Sequence, residues 1–301
     1  MHAHTPVLLP EVLATLGDVS GETILDATFG AGGYSRAFLE RGASVIAFDR
    51  DPSTIQFADK LKKEFKDRFT FINARFSRIP VIPAKAGTES RIPNPVTHIV
   101  FDFGVSSMQI DTPERGFSWR FDAPLDMRMD GEGPAAAELI ENSPPEELAK
   151  ILSEYGDVNA KLAAALARAL KKTPPKTTFQ LRDLIFDPKN TAKVFQAIRI
   201  KVNGELDEIE RALAAVPALL SIGGICACVT FHSLEDRIVK KKFREWTTPA
   251  GDPRMPAKPA DFILLKTLKP TAAELDANPR ARSSHLRAAR KIGNIPPKET
   301  I

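Results

Sequence analysis

Cysteine is nearly missing from this sequence: there are two, Cys226 and Cys228. A disulfide framework needs several spaced cysteines and a structural zinc site needs about four soft ligands at short spacing, so both are excluded. Taken as alternate residues of the apolar run 225–231, the two thiols are expected on opposite faces of one strand, buried and unable to bridge each other. The five histidines are scattered, so no metal site is expected. Long apolar runs are absent as well. None approaches the roughly 20 residues that cross a bilayer, and the opening "MHAHTPVLLPEVL" has no basic region followed by an apolar one. These absences point to a cytoplasmic protein with no membrane partner. No internal repeat of fixed period is visible, which argues against a solenoid.

What remains is an ordinary globular composition, 43% apolar and 27% charged over 301 residues. Charge is unevenly spread. From Arg237 onward there are 15 Lys and Arg against 6 Asp and Glu, although the whole chain carries only +4. A basic C-terminal tail on a slightly acidic body suggests a polyanionic partner.

Apolar runs that read as strands alternate with helical patterns, which predicts a doubly wound α/β sheet. The strand candidates are 23–27, 44–49, 69–74, 98–103 and 225–231, with helices after the first two. The proline-rich segment 78–95 predicts an irregular surface excursion in place of a helix. After the fourth strand the alternation stops for about a hundred residues of helical pattern. An all-helical insertion at 113–203 is the economical reading, dividing a core of 1–112 and 204–301. Helix 205–220 then returns to the sheet, and Gly223–Gly224 turns the chain into the fifth strand.

The stretch "DATFGAGGYS" after the first strand poses the functional question. A dinucleotide fingerprint needs a third glycine at position 35, where this chain has Ser35, and a P-loop needs a lysine that the stretch lacks. What remains, an acid, Asp26, followed by Gly30, Gly32 and Gly33, resembles the first motif of the Rossmann-like methyltransferases, and the resemblance implies S-adenosylmethionine, a ligand without phosphate. Its carboxylate favours the N–H groups of a helix start, and its sulfonium favours no cationic neighbour. Asp49, 19 residues after Gly30 at the end of the second strand, is placed to accept the ribose hydroxyls.

Three further segments, 101–130 ("FDFGVSSMQIDTPERGFSWRFDAPLDMRMD"), 231–240 ("FHSLEDRIVK") and 278–284 ("NPRARSS"), together with "HTPVLLPEVL" at 4–13, carry a more specific likeness. In these motifs the chain closely resembles the bacterial small-subunit (16S) ribosomal RNA cytidine N4-methyltransferases, the RsmH or MraW family. The resemblance implies a class I Rossmann-like methyltransferase that uses S-adenosylmethionine and has an inserted helical substrate-recognition domain. By the same resemblance the cofactor site carries over to Gly32, Gly33, Tyr34, Asp49, Phe76, Asp102 and Gln109. Family members usually have histidine where this chain has Tyr34.

The exocyclic amine of cytosine is a poor nucleophile, so catalysis must come from positioning and from dispersing charge as the nitrogen becomes tetrahedral. Asp102 is the catalytic candidate, as an acceptor for that amine. Candidate RNA contacts are Arg115, Arg120 and Arg128 before the insertion; His232, Ser233, Lys240 and Lys241 after the fifth strand; and Arg280 and Arg282 near the end. Glu235, Asp236 and Arg237 offer a structural ion-pair cluster instead. The expected partner is the small ribosomal subunit or its 16S rRNA, and a homodimer is compatible with the sequence. A methyltransferase acting on another nucleic acid, and an assembly factor that binds the cofactor without turnover, are the alternatives.

Overall fold

The computed structural model describes residues 6–81, 96–249 and 260–293. Most of the proline-rich excursion, 82–95, therefore lies outside the described residues. The chain falls into two compact units, Met1–Gly104 with Asp207–Ile301, and Val105–Leu206.

The first unit is built on a seven-stranded sheet of order β3-β2-β1-β4-β5-β7-β6. Its strands are β1 (Thr23–Asp26), β2 (Ser44–Asp49), β3 (Phe69–Asn73), β4 (Val96–Asp102), β5 (Leu220–Thr230), β6 (Phe262–Leu264) and β7 (His285–Lys291). The first five run parallel, while β7 pairs antiparallel with both β5 and β6. This is the class I Rossmann-like arrangement. Alternate residues feed two hydrophobic layers: Ile24, Val45, Val100 and Ala227 face one, and Leu25, Ile46, Phe101 and Cys228 face the other. Each fully buried large side chain, such as Phe48 or Phe101, contributes about 1.5–3 kcal/mol relative to exposure. Helices α1 (Leu9–Leu16), α2 (Gly33–Glu40) and α3 (Ile55–Phe65) precede the fourth strand.

The second unit is all-helical, with α4 (Ser107–Asp111), α5 (Ala136–Asn142), α6 (Pro145–Gly156), α7 (Ala160–Lys172), α8 (Thr178–Asp183) and α9 (Pro188–Asn203). Its helix starts follow local chemistry. Pro145 opens α6 with Glu146 and Glu147 in the first turn, Asn159 caps α7, and Asp187 caps α9 ahead of Pro188. Leu148, Ile151, Leu166, Leu170, Val194 and Ile198 meet in its core. The chain then continues through α10 (Glu205–Leu219), α11 (Ser233–Thr247) and α12 (Ala272–Ala277).

Four sequence expectations need correction. Cys226 and Cys228 share one face, as residues two apart on a strand must, with sulfurs 3.9 Å apart and unbridged. Gly223–Gly224 lies inside β5 instead of before it. A side chain at Gly224 would put its Cβ 2.3 Å from the Thr97 carbonyl, where the β4–β5 register shifts. The helical unit starts at 105 instead of 113 because Val105 packs on its core and Ser106 caps α4. It runs past 203 because Asn203 bonds Met127 and Met129, and Arg199 grips Glu205. Finally, the described part of the basic segment is no tail. Arg287 on β7 pairs with Asp236, and the Lys291 ammonium donates to the carbonyls of Pro217 and Leu220.

Candidate active site

The carboxyl ends of β1, β2 and β4 gather three carboxylates around the glycine loop. Asp26 is fully buried. It accepts the Ser35 hydroxyl at 2.6 Å and the Thr28 N–H at 3.2 Å, and burial raises its pKa to about 6 despite those bonds. The Thr28 hydroxyl in turn accepts the Asp102 N–H at 2.6 Å, fastening the loop to β4.

Asp49 reaches back to the same loop. One oxygen accepts the Gly30 N–H at 2.7 Å and the other accepts the Asp51 N–H at 2.8 Å. Burial again dominates and lifts its pKa to about 6. Glycine is needed along the loop for space as well as for dihedrals. A Cβ at Gly32, where φ is +82°, would lie 2.8 Å from the Phe29 ring, and one at Gly33 would lie 2.4 Å from Pro6.

Asp102 closes the opposite side. Its Oδ1 is buried with no hydrogen-bond partner among the described residues. Burial, then the charges of Asp26 and Glu235, hold its carboxyl well above the usual range. Glu235, wholly buried, accepts the N–H groups of Phe231 at 2.7 Å and His232 at 3.3 Å, and its other oxygen lies 3.1 Å from His232 Nε2. In return His232 Nδ1 accepts the Glu235 N–H at 3.5 Å, which caps α11. Phe76, after β3, meets the ring edges of Phe101 and Phe103 with both centroids at 6.0 Å.

Tyr34 is buried, and its hydroxyl donates to the Val7 carbonyl. The ring thus fastens the segment Pro6–Leu8 over the glycine loop. Tyr34→Phe is expected to lower stability by about 1–2 kcal/mol, the cost of a buried acceptor left alone. It should weaken cofactor binding several-fold with turnover at saturation unchanged, as read by calorimetry and steady-state rates.

Two residues that the motifs did not single out for the site complete it. Glu274 on α12 accepts the Leu8 N–H at 2.6 Å, and Glu274 and Glu11 each keep one buried oxygen without a hydrogen-bond partner among the described residues. Both charges act on the Tyr34 hydroxyl, as do those of Asp102 and Asp26. A glycine cradle ringed by carboxylates, with unspent buried acceptors, fits a cationic ligand that carries no phosphate.

The remaining candidates are more dispersed. In the helical unit Gln109 is buried, and its side-chain oxygen accepts the Ser106 N–H at 3.0 Å in a capping box. Arg115 donates to the carbonyls of Arg128 and Met129. Arg128 grips Asp126 through two nitrogens at 2.9 and 2.7 Å and also donates to the Gly131 and Gly133 carbonyls. Arg120 is exposed. In the sheet unit, Ser233, Lys240, Lys241 and Arg282 are exposed and Arg280 is half-buried. The expected cluster of Glu235, Asp236 and Arg237 is not the one formed: Asp236 pairs with Arg287 and Lys240, and Glu235 meets His232 at the start of α11. Asp236's pKa falls because, against burial, those two cations stabilise its charge.

Comparison with known proteins agrees along nearly the whole chain. The sequence profile of the MraW methylase family matches residues 1–292. A ribosomal RNA small subunit methyltransferase H from Caulobacter sp. (strain K31) is 45% identical over 306 residues, covering 95% of this chain and 92% of the relative. The protein of the same name from Chelativorans sp. (strain BNC1) is 44% identical, with 97% and 88% covered. That of Paramagnetospirillum magneticum is 42% identical, with 99% and 98% covered. With a Rossmann-like sheet, a glycine loop bonded to Asp49 and a match of this extent, the chain belongs to the MraW methylase family.

Proposed function

We propose that this protein transfers a methyl group from S-adenosylmethionine to the N4 amine of a cytidine in small-subunit ribosomal RNA. The observation that carries this reading is Asp102, a buried carboxyl with an unspent oxygen and a raised pKa at the sheet's carboxyl edge, beside the glycine loop. When bound, S-adenosylmethionine supplies an electrophilic methyl group on a positively charged sulfur.

The chain's residues do the rest. Gly32 and Gly33 admit the ligand's backbone-side groups, Asp49 takes the ribose hydroxyls, and Phe76 flanks the adenine. Asp102 accepts one N–H of the amine, which turns the nitrogen lone pair toward the methyl group. As that pair becomes the new N–C bond, the methyl–sulfur bond would break with its electrons returning to the sulfur, the nitrogen gains positive charge and its surplus proton passes to the Asp102 carboxylate. A carboxylate with a raised proton affinity suits that task better than an exposed one. No cysteine nucleophile is required, because the target is nitrogen, and both thiols are buried in β5.

The unit Val105–Leu206 is read as the substrate-recognition part, with exposed Arg120 and, from the sheet unit, Ser233, Lys240, Lys241 and Arg282 as contacts to RNA phosphates. His232, Arg115, Arg128 and Gln109 support these contacts by holding their own loops and helix starts. The site of action is cytoplasmic. Incubation with isotopically labelled S-adenosylmethionine and unmodified small subunits, or protein-free 16S rRNA, followed by nucleoside mass spectrometry, tests the assignment. Labelled N4-methylcytidine is the expected product, and label on any other nucleoside rejects the target.

A further inference from the structure

The helical unit holds a cavity of about 340 Å³ whose walls come from that unit alone. Two aromatic side chains, Trp119 and Phe186, line it. Phe186 is 92% exposed and sits at φ +60°. Both properties are costly for an aromatic residue, since the left-handed region disfavours a side chain and water disfavours the ring. Phe186 is not among the residues that form the unit's hydrophobic cluster or pack against it. Trp119, by contrast, is fixed by an edge-on contact with Phe195 at 5.1 Å.

The polar groups of the wall define what fits between them. The Arg182 guanidinium lies over the Phe179 ring at 3.7 Å, and its Nε donates to Asp183 at 2.8 Å. Asp187 is spent on the start of α9, accepting the Lys189 N–H and the Asn190 amide. The two carboxylates are thus already engaged, and with Arg182 they leave the lining one formal negative charge, set among flat faces with scattered donors and acceptors. A phosphate finds no cationic cluster there. A heteroaromatic ring finds two stacking faces and a planar guanidinium, the combination by which proteins hold unstacked bases of single-stranded RNA. Among the described residues, the only other exposed large hydrophobic side chain of this unit is Phe121. That falls short of the contiguous apolar patch a protein partner uses.

We propose that this cavity is a stacking subsite for one unstacked nucleobase of the RNA substrate, a base other than the one methylated, held by Phe186 and Trp119. The inference rests on the ribosomal RNA reading above. The methylated base is served by the carboxylates of the sheet unit, and the base in the helical unit fixes which stretch of strand is presented.

The chain has only two tryptophans, Trp119 and Trp246. In a Trp246→Phe background Trp119 becomes the sole reporter, and its fluorescence can be titrated with a protein-free oligoribonucleotide copied from the small-subunit segment that accepts label. Saturable quenching is expected. Phe186→Gly in the same background should raise the Kd about 5- to 100-fold, the range for losing one stacked base. Its Tm should stay at or above that of the parent, because glycine removes the φ strain. Weaker RNA binding together with undiminished stability separates a binding role from a structural one.

Absence of quenching, or an unchanged Kd in Phe186→Gly, in a protein that still methylates its subunits would overturn the subsite and leave the proposed function standing. A loss confined to assembled subunits, with protein-free RNA bound normally, would also overturn it and assign the cavity to a ribosomal protein. Failure of methylation on every substrate, with quenching intact, would instead remove the cytidine N4 reading.

Discussion

Asp102→Asn is expected to lower kcat by about two to four orders of magnitude, the range for losing a positioned proton acceptor, with the Kd for S-adenosylmethionine changed only a few-fold. Asparagine keeps the shape of the side chain and one oxygen acceptor, so orientation is largely preserved. What it loses is the ability to take the proton. Rapid-quench turnover at saturating cofactor, with calorimetry on the same preparation, separates the two effects. A variant with normal turnover at saturation and poor cofactor affinity would reduce Asp102 to a cofactor contact. The wild-type rate carries a second signature. Because burial and the neighbouring acids hold the Asp102 proton above the usual carboxylate range, activity should fall on acidification at a pH where an exposed aspartate would still be ionised.

Acidification from pH 7.5 to 5 should move stability and cofactor affinity in opposite directions. Asp26 and Asp49 have folded pKa values of about 6 against 3.8 for the free side chain. A raised acid contributes stability that is fully present below the unfolded pKa and is lost as pH rises through the folded one. The ligand-free protein therefore gains from each group as pH falls from 7 toward 4, on the order of 2–3 kcal/mol per group. In the proposed function Asp49 accepts the ribose hydroxyls of S-adenosylmethionine as a carboxylate, so the affinity is expected to drop through the same window.

His98 works against the gain, since burial lowers its pKa below 6.5 and it resists protonation. Comparing wild type with Asp49→Asn subtracts that contribution. The stability advantage of the asparagine variant at neutral pH should shrink on acidification, as read by Tm in a buffer series. A difference in Tm that is flat with pH would show that Asp49 titrates normally. Carboxylates with lowered pKa values, such as Asp126 and Asp236, lose their contribution only below about pH 4, outside this window.

The parallel half of the sheet was legible because its strands are apolar on both faces and the first three are separated by helices of amphipathic pattern. "SVIAFD" and "HIVFDF" announce themselves without reference to anything distant. The strand β7 did not, because "HLRAARK" carries its charges into the sheet and satisfies them with Asp236 and with backbone carbonyls far along the chain. Local pattern reads such a segment as solvated tail. The same distinction holds at the site. The Gly30 to Asp49 spacing was readable because one hydrogen bond joins adjacent strands. Glu11 and Glu274 were not picked out as site residues, since their relevance appears only when the first helix and α12 meet. The burial of Gln109, Arg115 and Arg128 in caps and loop contacts was equally invisible, because a motif gives residue type and not the use of each donor.

The hydrogen bond between Leu8 and Glu274 also has a meaning for biosynthesis. It joins residues 266 positions apart, and β7, made after β6, inserts between β5 and β6. Translation therefore delivers the glycine loop, Asp49 and Asp102 long before the segment that fastens Pro6–Leu8 over them. A nascent chain cannot close this wall until α12 has emerged from the ribosomal exit tunnel. High-contact-order closure of this kind is slow, and it ties the finished wall to completion of the polypeptide: a chain broken before residue 274 keeps the Tyr34 bond to Val7 but lacks the Glu274 bond that pins Leu8.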